Sequence, residues 1–356
     1  MEIVAQKAGV SRSTVSRALR NHPAIPNRTR QRIKNIADRL GYRPNPFVAV
    51  LMSRLKAVRK PDATARIALV SKFPFGTGWK DNPSVTRMVE GAFVQAHNLG
   101  YQLETFSLAE AGMTLERLSR ILCCRGIQGV IILPTPKSGA EMKLDWSKFS
   151  PVALGYSLAE PQLHRVCNHL AHTMTKTLDH VIRLGYRRIG LAMRSDTDIR
   201  VDHTWRSGYL LYGDMFPDID FVPMLLTLKW NKQTFHNWFL EMRPEVVVTD
   251  DMQAQEWLTD LNYRIPGDVG LTLLDCTRAR CACAGIDQQH EIVGAMAVDL
   301  VVEQLQKNET GVPLHPKFIT IEGSWIDGIT LVSQDKPPRN KPAAKRSGRK
   351  SGSFVG

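Results

Sequence analysis

Apolar positions in residues 3 to 40 recur at helical spacing in three short stretches: Val4, Ala5 and Ala8, then Val15, Ala18 and Leu19, then Ile33, Ile36, Ala37 and Leu40. Three short amphipathic helices with one shared apolar face predict a small all-α domain. Between the first two lies Ala8-Gly9-Val10-Ser11, in which Gly9 suits a positive φ, Val10 plugs the core and Ser11 caps the next helix. This is the pattern of a helix-turn-helix. Pro44-Asn45-Pro46 ends the third helix, because proline lacks an amide donor and disfavours helix in the residue before it. A fourth helical pattern follows, with Val48, Leu51, Met52 and Leu55 apolar, and it is too short to be stable alone. From Arg66 onward short apolar runs alternate with helical stretches. The runs are Ile67 to Val70, Tyr101 to Phe106, Gly129 to Leu133, Ile189 to Ala192 and Glu245 to Val248. The helical stretches are Val85 to Leu99, Leu115 to Cys124, Thr173 to Leu184, Met252 to Leu261 and Ile292 to Gln306. Such alternation predicts parallel α/β sheets, and this part of the chain is long enough for two subdomains.

Charge sharpens the division. Of the net +13, residues 1 to 60 carry +12 and residues 335 to 356 carry +6, which leaves −5 for the middle. A polyanionic partner is therefore expected at the ends and a different task for the centre. The second helix, Ser11 to Leu19, turns Val15, Ala18 and Leu19 inward and Arg12, Ser13, Ser16 and Arg17 outward. Arginine can fork onto guanine, and hydroxyls reach phosphates or base edges, so this face predicts binding to double-stranded DNA. The last segment, Asp335 to Gly356, is rich in Lys, Arg, Pro, Gly and Ser and reads as a disordered basic tail.

The chain resembles the lactose-repressor (LacI/GalR) family of bacterial transcription regulators. The resemblance lies in Val4-Ala5-Gln6-Lys7-Ala8-Gly9-Val10-Ser11-Arg12-Ser13-Thr14-Val15-Ser16-Arg17-Ala18-Leu19, in Thr29-Arg30, and in Leu40-Gly41-Tyr42-Arg43-Pro44-Asn45. It continues through His180 to Ile189, Thr249-Asp250-Asp251-Met252-Gln253-Ala254, Ile265-Pro266-Gly267-Asp268-Val269 and Ile286-Asp287-Gln288. By this resemblance Arg12, Ser13 and Arg17 read bases in the major groove, while Ser11, Thr14 and Ser16 hold phosphates. It also implies that the segment with Asn45 and Val48 forms a hinge helix on the operator, with Leu51 pressed into the minor groove as a wedge that kinks the duplex. Two departures stand out: the chain lacks the Asp that usually precedes Val-Ala, and Pro26 replaces the serine that commonly caps the third helix, with Asn27 suited to cap instead.

The expected organisation is a helix-turn-helix head over residues 1–44, a hinge helix and linker over 45–62, a core over 63–334 and the tail over 335–356. The core is expected to resemble the periplasmic sugar-binding proteins: two Rossmann-like lobes, three crossovers and an effector cleft at the carboxyl ends of the strands. In the cleft, Asp250 stands where the family usually has Asn, followed by Asp251, and Asp275 matches an Asp near the end of a later strand. Trp205 replaces the arginine that clamps a sugar, and neighbouring Arg206 points elsewhere on a helix, so a sugar, another small molecule or no effector all stay open.

The expected protein is a homodimeric regulator, a repressor in its most direct form, on a pseudo-palindromic operator; the rival is a small-molecule sensor with weak or lost DNA binding. No run of 18 apolar residues occurs and residues 1 to 20 have no apolar stretch of a leader, which predicts a cytoplasmic chain with no membrane partner. The six cysteines form no C-x-x-C pair and read as reduced thiols, and the His164, Cys167, His169 and His172 cluster reads as ordinary surface and core rather than a metal site. No phosphate-loop, dinucleotide-loop, nucleophile-elbow or zincin motif is present, so neither a cofactor nor catalysis is expected.

Overall fold

The computed structural model describes residues 1–19, 21–22, 24–42, 65–73, 82–276 and 282–334. The expectations for the hinge, including Asn45, Val48 and Leu51, and for the tail lie outside the described residues.

The head is built from α1 (Glu2–Ala8), α2 (Arg12–Leu19) and α3 (Asn27–Arg39). Val4, Ala5, Ala8, Val15, Ala18, Ile25, Ile33 and Ala37 form its core, with Val10, Leu19, Ile36 and Tyr42 packed at the edge. The turn is as the sequence predicts: Gly9 adopts φ 59°, and Ser11 Oγ accepts from the Thr14 amide at 3.1 Å. Asn27, expected to cap α3, does not. It lies inside the first turn, where its side chain accepts from Arg30, and Pro26 occupies the cap position without a side-chain bond.

Two lobes follow. The first takes β1 (Arg66–Ser71), α4 (Pro83–Asn98), β2 (Gln102–Ser107), α5 (Leu115–Cys124), β3 (Gly129–Ile132), β4 (Ala140–Glu141), β5 (Ser150–Leu154), β6 (Leu158–Glu160) and β7 (His164–Asn168). The chain crosses into α6 (Leu170–Arg183) and builds the second lobe from β8 (Arg188–Arg194), α7 (Ser195–Arg200), α8 (Thr204–Met215), β9 (Asp220–Phe221), β10 (Leu225–Thr227), α9 (Lys232–Met242), β11 (Val246–Thr249), α10 (Gln253–Asp260), β12 (Gly270–Leu273) and β13 (Ala284–Asp287). It then returns to the first lobe as α11 (His290–Lys307) and β14 (Phe318–Ile321), and crosses once more into β15 (Ser324–Ile326). Three crossovers therefore join the lobes, at residues 168–170, 287–290 and 321–324.

The first sheet runs β14-β7-β5-β3-β1-β2, all parallel, and the second β10-β8-β11-β12-β13-β15, parallel except for the antiparallel β15, with β9 beside β8. Strands buried on both faces carry continuous apolar runs, as in Ile67 to Val70 and Val246 to Val248, each of which is nearly inaccessible to solvent. Helix α11 belongs to the core of the first lobe, since Val293, Ala297, Val298 and Val301 pack with Ile67, Leu69 and Ile131. Helix α6 belongs to the second, through Met174, Leu178 and Val181 against Ile189 and Leu191.

Candidate nucleic-acid interface and ligand cleft

In the head, Arg12, Ser13 and Arg17 are exposed on α2, while Val15 and Ala18 hold the helix to its core. Ser11 Oγ lies 2.8 Å from both Ser13 Oγ and Thr14 Oγ1, so three hydroxyls gather at the N-terminus of α2. Arg12 Nη1 stands 3.2 Å from Glu2 Oε2 on α1. Two arginines of α3 brace the turns: Arg32 donates to the Ala8 carbonyl at 3.0 Å and Arg30 to that of Asn21 at 3.0 Å. These two arginines tie α3 to the turns, while Arg12 and Arg17 stand on the exposed face of α2.

Between the lobes, the carboxyl ends of β11 and β12 carry Asp250 and Asp275. Asp275, two residues past β12, accepts from Ser84 Oγ at 2.7 Å and from His290 Nε2 at 2.9 Å, both on the first lobe. A carboxylate partner requires the proton on Nε2, because that nitrogen must donate. Burial alone would raise the Asp275 carboxyl, but the His290 ring, the Ser84 hydroxyl and the nearby Arg87 hold it below the usual carboxylate range. Arg87 in turn reaches Asp287 at 2.9 Å and Glu291 at 2.5 Å. A serine, a carboxylate and an imidazole are thus together, but the carboxylate is in the middle. Among the described residues the Ser84 hydroxyl faces the Asp275 carboxylate, which His290 also meets, so the set clasps the two lobes together.

Asp250 differs. Burial pushes its carboxyl up to about 7, against a bond from Thr197, and the nearby Asp251 and Asp275 push it further the same way. Its Oδ1 is enclosed with no hydrogen-bond partner among the described residues. An enclosed acceptor without a donor is costly, and a ligand donor supplies what is missing.

The remaining sequence-predicted cleft residues serve the fold. Asp251 Oδ2 accepts from Trp230 Nε1 at 2.8 Å, and its Oδ1 accepts from the Gln253 amide at 2.9 Å at the start of α10. Trp205 is 4% exposed and packs with Met174, Leu178 and Tyr209 in the core of the second lobe. Arg206 is half exposed and approaches Asp198 at 3.9 Å. Sequence reasoning missed Ser84 and His290, which meet Asp275 across the lobes, and Arg87, which reaches Asp287 across them and Glu291 within the first lobe. It quoted Gln288 without giving it a role. That side chain donates to the Leu274 carbonyl at 2.6 Å and accepts from Thr173 Oγ1 at 3.2 Å, while its own carbonyl accepts from Asn168 at 2.6 Å, sewing two crossovers to the end of β12. The histidine cluster also has structural partners: His169 Nδ1 accepts from the His172 amide as the cap of α6, and buried His164 accepts from the Lys317 amide. No helix among the described residues is long and apolar enough to cross a membrane.

Residues 1–45 match the family model described as bacterial regulatory proteins, lacI family. The HTH-type transcriptional regulator MalR of Staphylococcus xylosus is 22% identical over 280 residues, which is 75% of this chain and 78% of that protein. The HTH-type transcriptional repressor CytR of Escherichia coli K12 is 27% identical over 198 residues, and there the match spans about half of each chain, 53% and 52%. Among solved structures, the lac repressor dimer bound to operator and an anti-inducer superposes with a TM-score of 0.57 at 16% identity, covering 92% of this chain and 98% of that one. The regulator CelR in complex with cellobiose superposes with a TM-score of 0.55 at 20% identity over 93% and 99% of the two chains. At such identities the superpositions speak for the fold, including the two lobes. The head, residues 1–45, thus matches the lacI family of bacterial regulatory proteins by sequence, and the rest of the chain shares the architecture of the solved regulators.

Proposed function

We propose that this chain is a sequence-specific DNA-binding transcription regulator that acts as a repressor. It binds a pseudo-palindromic operator as a homodimer, and a small molecule between its lobes alters that affinity. The observation that carries most weight is α2: a helix fixed by its core, capped by Ser11, that turns Arg12, Ser13 and Arg17 to solvent on a segment of net charge +12. The described relatives support the partners. The lac repressor structure holds a dimer on operator, and CelR holds cellobiose. In the division of labour proposed here, residues 1–44 read DNA, 45–62 form the hinge with Asn45, Val48 and Leu51 against it, and 63–334 sense and dimerise. The protein works by binding and not by catalysis, in keeping with the central carboxylate of the Ser84, Asp275 and His290 set.

In the cleft, Asp250 Oδ1 is the open acceptor, with Asp275 beside it already held by Ser84 and His290. A polyol or sugar derivative meets this chemistry by donating a hydroxyl bond to Asp250 Oδ1.

The test is selection of genomic fragments by purified full-length protein at near-physiological salt. Recovery of a palindrome is expected, with an affinity that falls with salt by a log-log slope of about −0.9 per phosphate contact. Arg17→Ala is expected to relax base preference. If no sequence is enriched and Arg17→Ala changes nothing, the protein is a sensor without operator binding.

A further inference from the structure

We infer that Glu2 is the positioning residue for Arg12, holding its guanidinium so that the unoccupied edge meets a base; this rests on the proposal that α2 reads DNA. The two residues open neighbouring helices: Glu2 is the first residue of α1 and Arg12 the first of α2. Their backbones are fixed relative to one another, because Val4, Ala5 and Ala8 of α1 share one core with Val15 and Ala18 of α2, and Gly9 at φ 59° sets the turn between them. The side chains flank a shallow groove also lined by Gln6 and Gly9.

Three physical points give the pair its role. First, a cation at a helix N-terminus opposes the positive end of the helix dipole, so Arg12 is ill placed by itself and the Glu2 carboxylate offsets that charge. Second, the approach is at Nη1, 3.2 Å from Glu2 Oε2, which leaves the opposite Nε and Nη2 edge for the O6 and N7 acceptors of a guanine. Third, the other hydroxyl-bearing neighbour does not compete for Arg12, since Ser13 Oγ is turned 2.8 Å from the Ser11 cap. An arginine side chain unrestrained in solution must give up its rotamer freedom on docking, and an arginine already held by a carboxylate has given up part of it. Both side chains are about two-thirds exposed, at 67% and 66%, so the pair matters little for folding and gains its effect when DNA excludes water from it. Glu2 also places a negative charge on the DNA-facing side of the head, which opposes contacts made to phosphates alone.

The experiment is selection from a randomised operator pool with full-length wild type, Glu2→Gln, Arg12→Ala and the double variant, read as base preference at each position. Glu2→Gln is expected to lower discrimination roughly 3- to 10-fold at the same base pair whose preference Arg12→Ala removes, to leave other positions unchanged, and to raise affinity for unrelated DNA. In the double variant the Glu2 effect on base preference should vanish, because the arginine it positions is gone. If Arg12→Ala erases a preference that Glu2→Gln leaves intact, or if Glu2→Gln weakens all positions alike, the positioning role is wrong while the reading helix stands. If Arg12→Ala alters no position, the placement of Arg12 on the bases is itself wrong. The exposed positions of both side chains keep every variant folded, which a matched thermal melt verifies.

Discussion

Helices α4 and α11 meet at a seam made of two glycines, and a single methyl group there tests how the first lobe is held together. A Cβ built on Gly294 would lie 1.8 Å from the Met88 carbonyl oxygen, and one on Gly91 would lie 1.9 Å from the Glu291 carbonyl oxygen. In each case the obstacle is backbone, which cannot rotate away as a side chain does. Two effects oppose each other in Gly294→Ala. Alanine is the better helix former by about 1 kcal/mol. Overpacking a close contact costs about 1–3 kcal/mol, and here the whole helix must retreat from Val85, Val89 and Ala92, opening a gap in the apolar core. The steric term wins, and a net loss of up to ~2 kcal/mol is expected, seen as a lower urea midpoint in full-length protein and a lowered Tm. Gly213→Ala on α8 is the control. Its Cβ would meet nothing nearer than Phe221 Cβ at 3.5 Å, an ordinary van der Waals contact, so the change should stay within about 1 kcal/mol of wild type. Gly294→Ala and Gly91→Ala as stable as wild type, or more so, would refute the seam. The seam matters for the cleft because α4 carries Ser84 and Arg87, and α11 carries His290 and Glu291.

Three further outcomes follow from the site and the head. Asp275→Asn should cost about 1.5–3 kcal/mol at pH 7 by removing the charged acceptor from buried His290. Because its folded pKa is lowered, the contribution of Asp275 is present above its unfolded value and lost as pH falls through the folded one, so the gap between variant and wild type must close in acid melts. Asp250 behaves oppositely: with its carboxyl raised to about 7, it lowers stability progressively as pH rises from its ordinary value toward that point. Asp250→Asn should therefore be more stable than wild type at pH 8, by up to ~4 kcal/mol, with no gain near pH 4; an unchanged difference across that range would show that burial does not govern the group. Ser11→Ala removes the cap of α2 and should loosen the head by about 1 kcal/mol, measurable as faster amide exchange at Thr14 with the core lobes unaffected.

The head was legible in the linear pattern because its determinants are local. A glycine at positive φ, a cap three residues before the amide it satisfies and apolar residues one turn apart all lie within 40 residues, so their spacing alone specifies three helices and an outward arginine face. The strands whose apolar runs are continuous, such as Ile67 to Val70, were legible for the same reason. Short strands such as β4, β9 and β10 were not, since two or three residues carry no period; helices α8 and α9, whose buried Trp205, Tyr209 and Tyr212 and Phe235, Trp238 and Phe239 recur at helical spacing, were open to the same reading and were missed.

The cleft was half legible. The sequence determined which carboxylates end the strands, Asp250 and Asp275, because a strand end is a local feature. Only the tertiary structure decided their states. It brings Ser84 and His290 from the other lobe onto Asp275, 191 and 15 residues away, and leaves Asp250 Oδ1 without a donor. It also turned Trp205 into the core and committed Asp251 to Trp230 and the start of α10, roles that depend on which faces pack and not on which residues adjoin. Pattern along the chain fixes the faces of helices and strands; which donors reach a given acceptor is set by contacts between elements far apart in sequence, and those exist only once the lobes have folded and crossed.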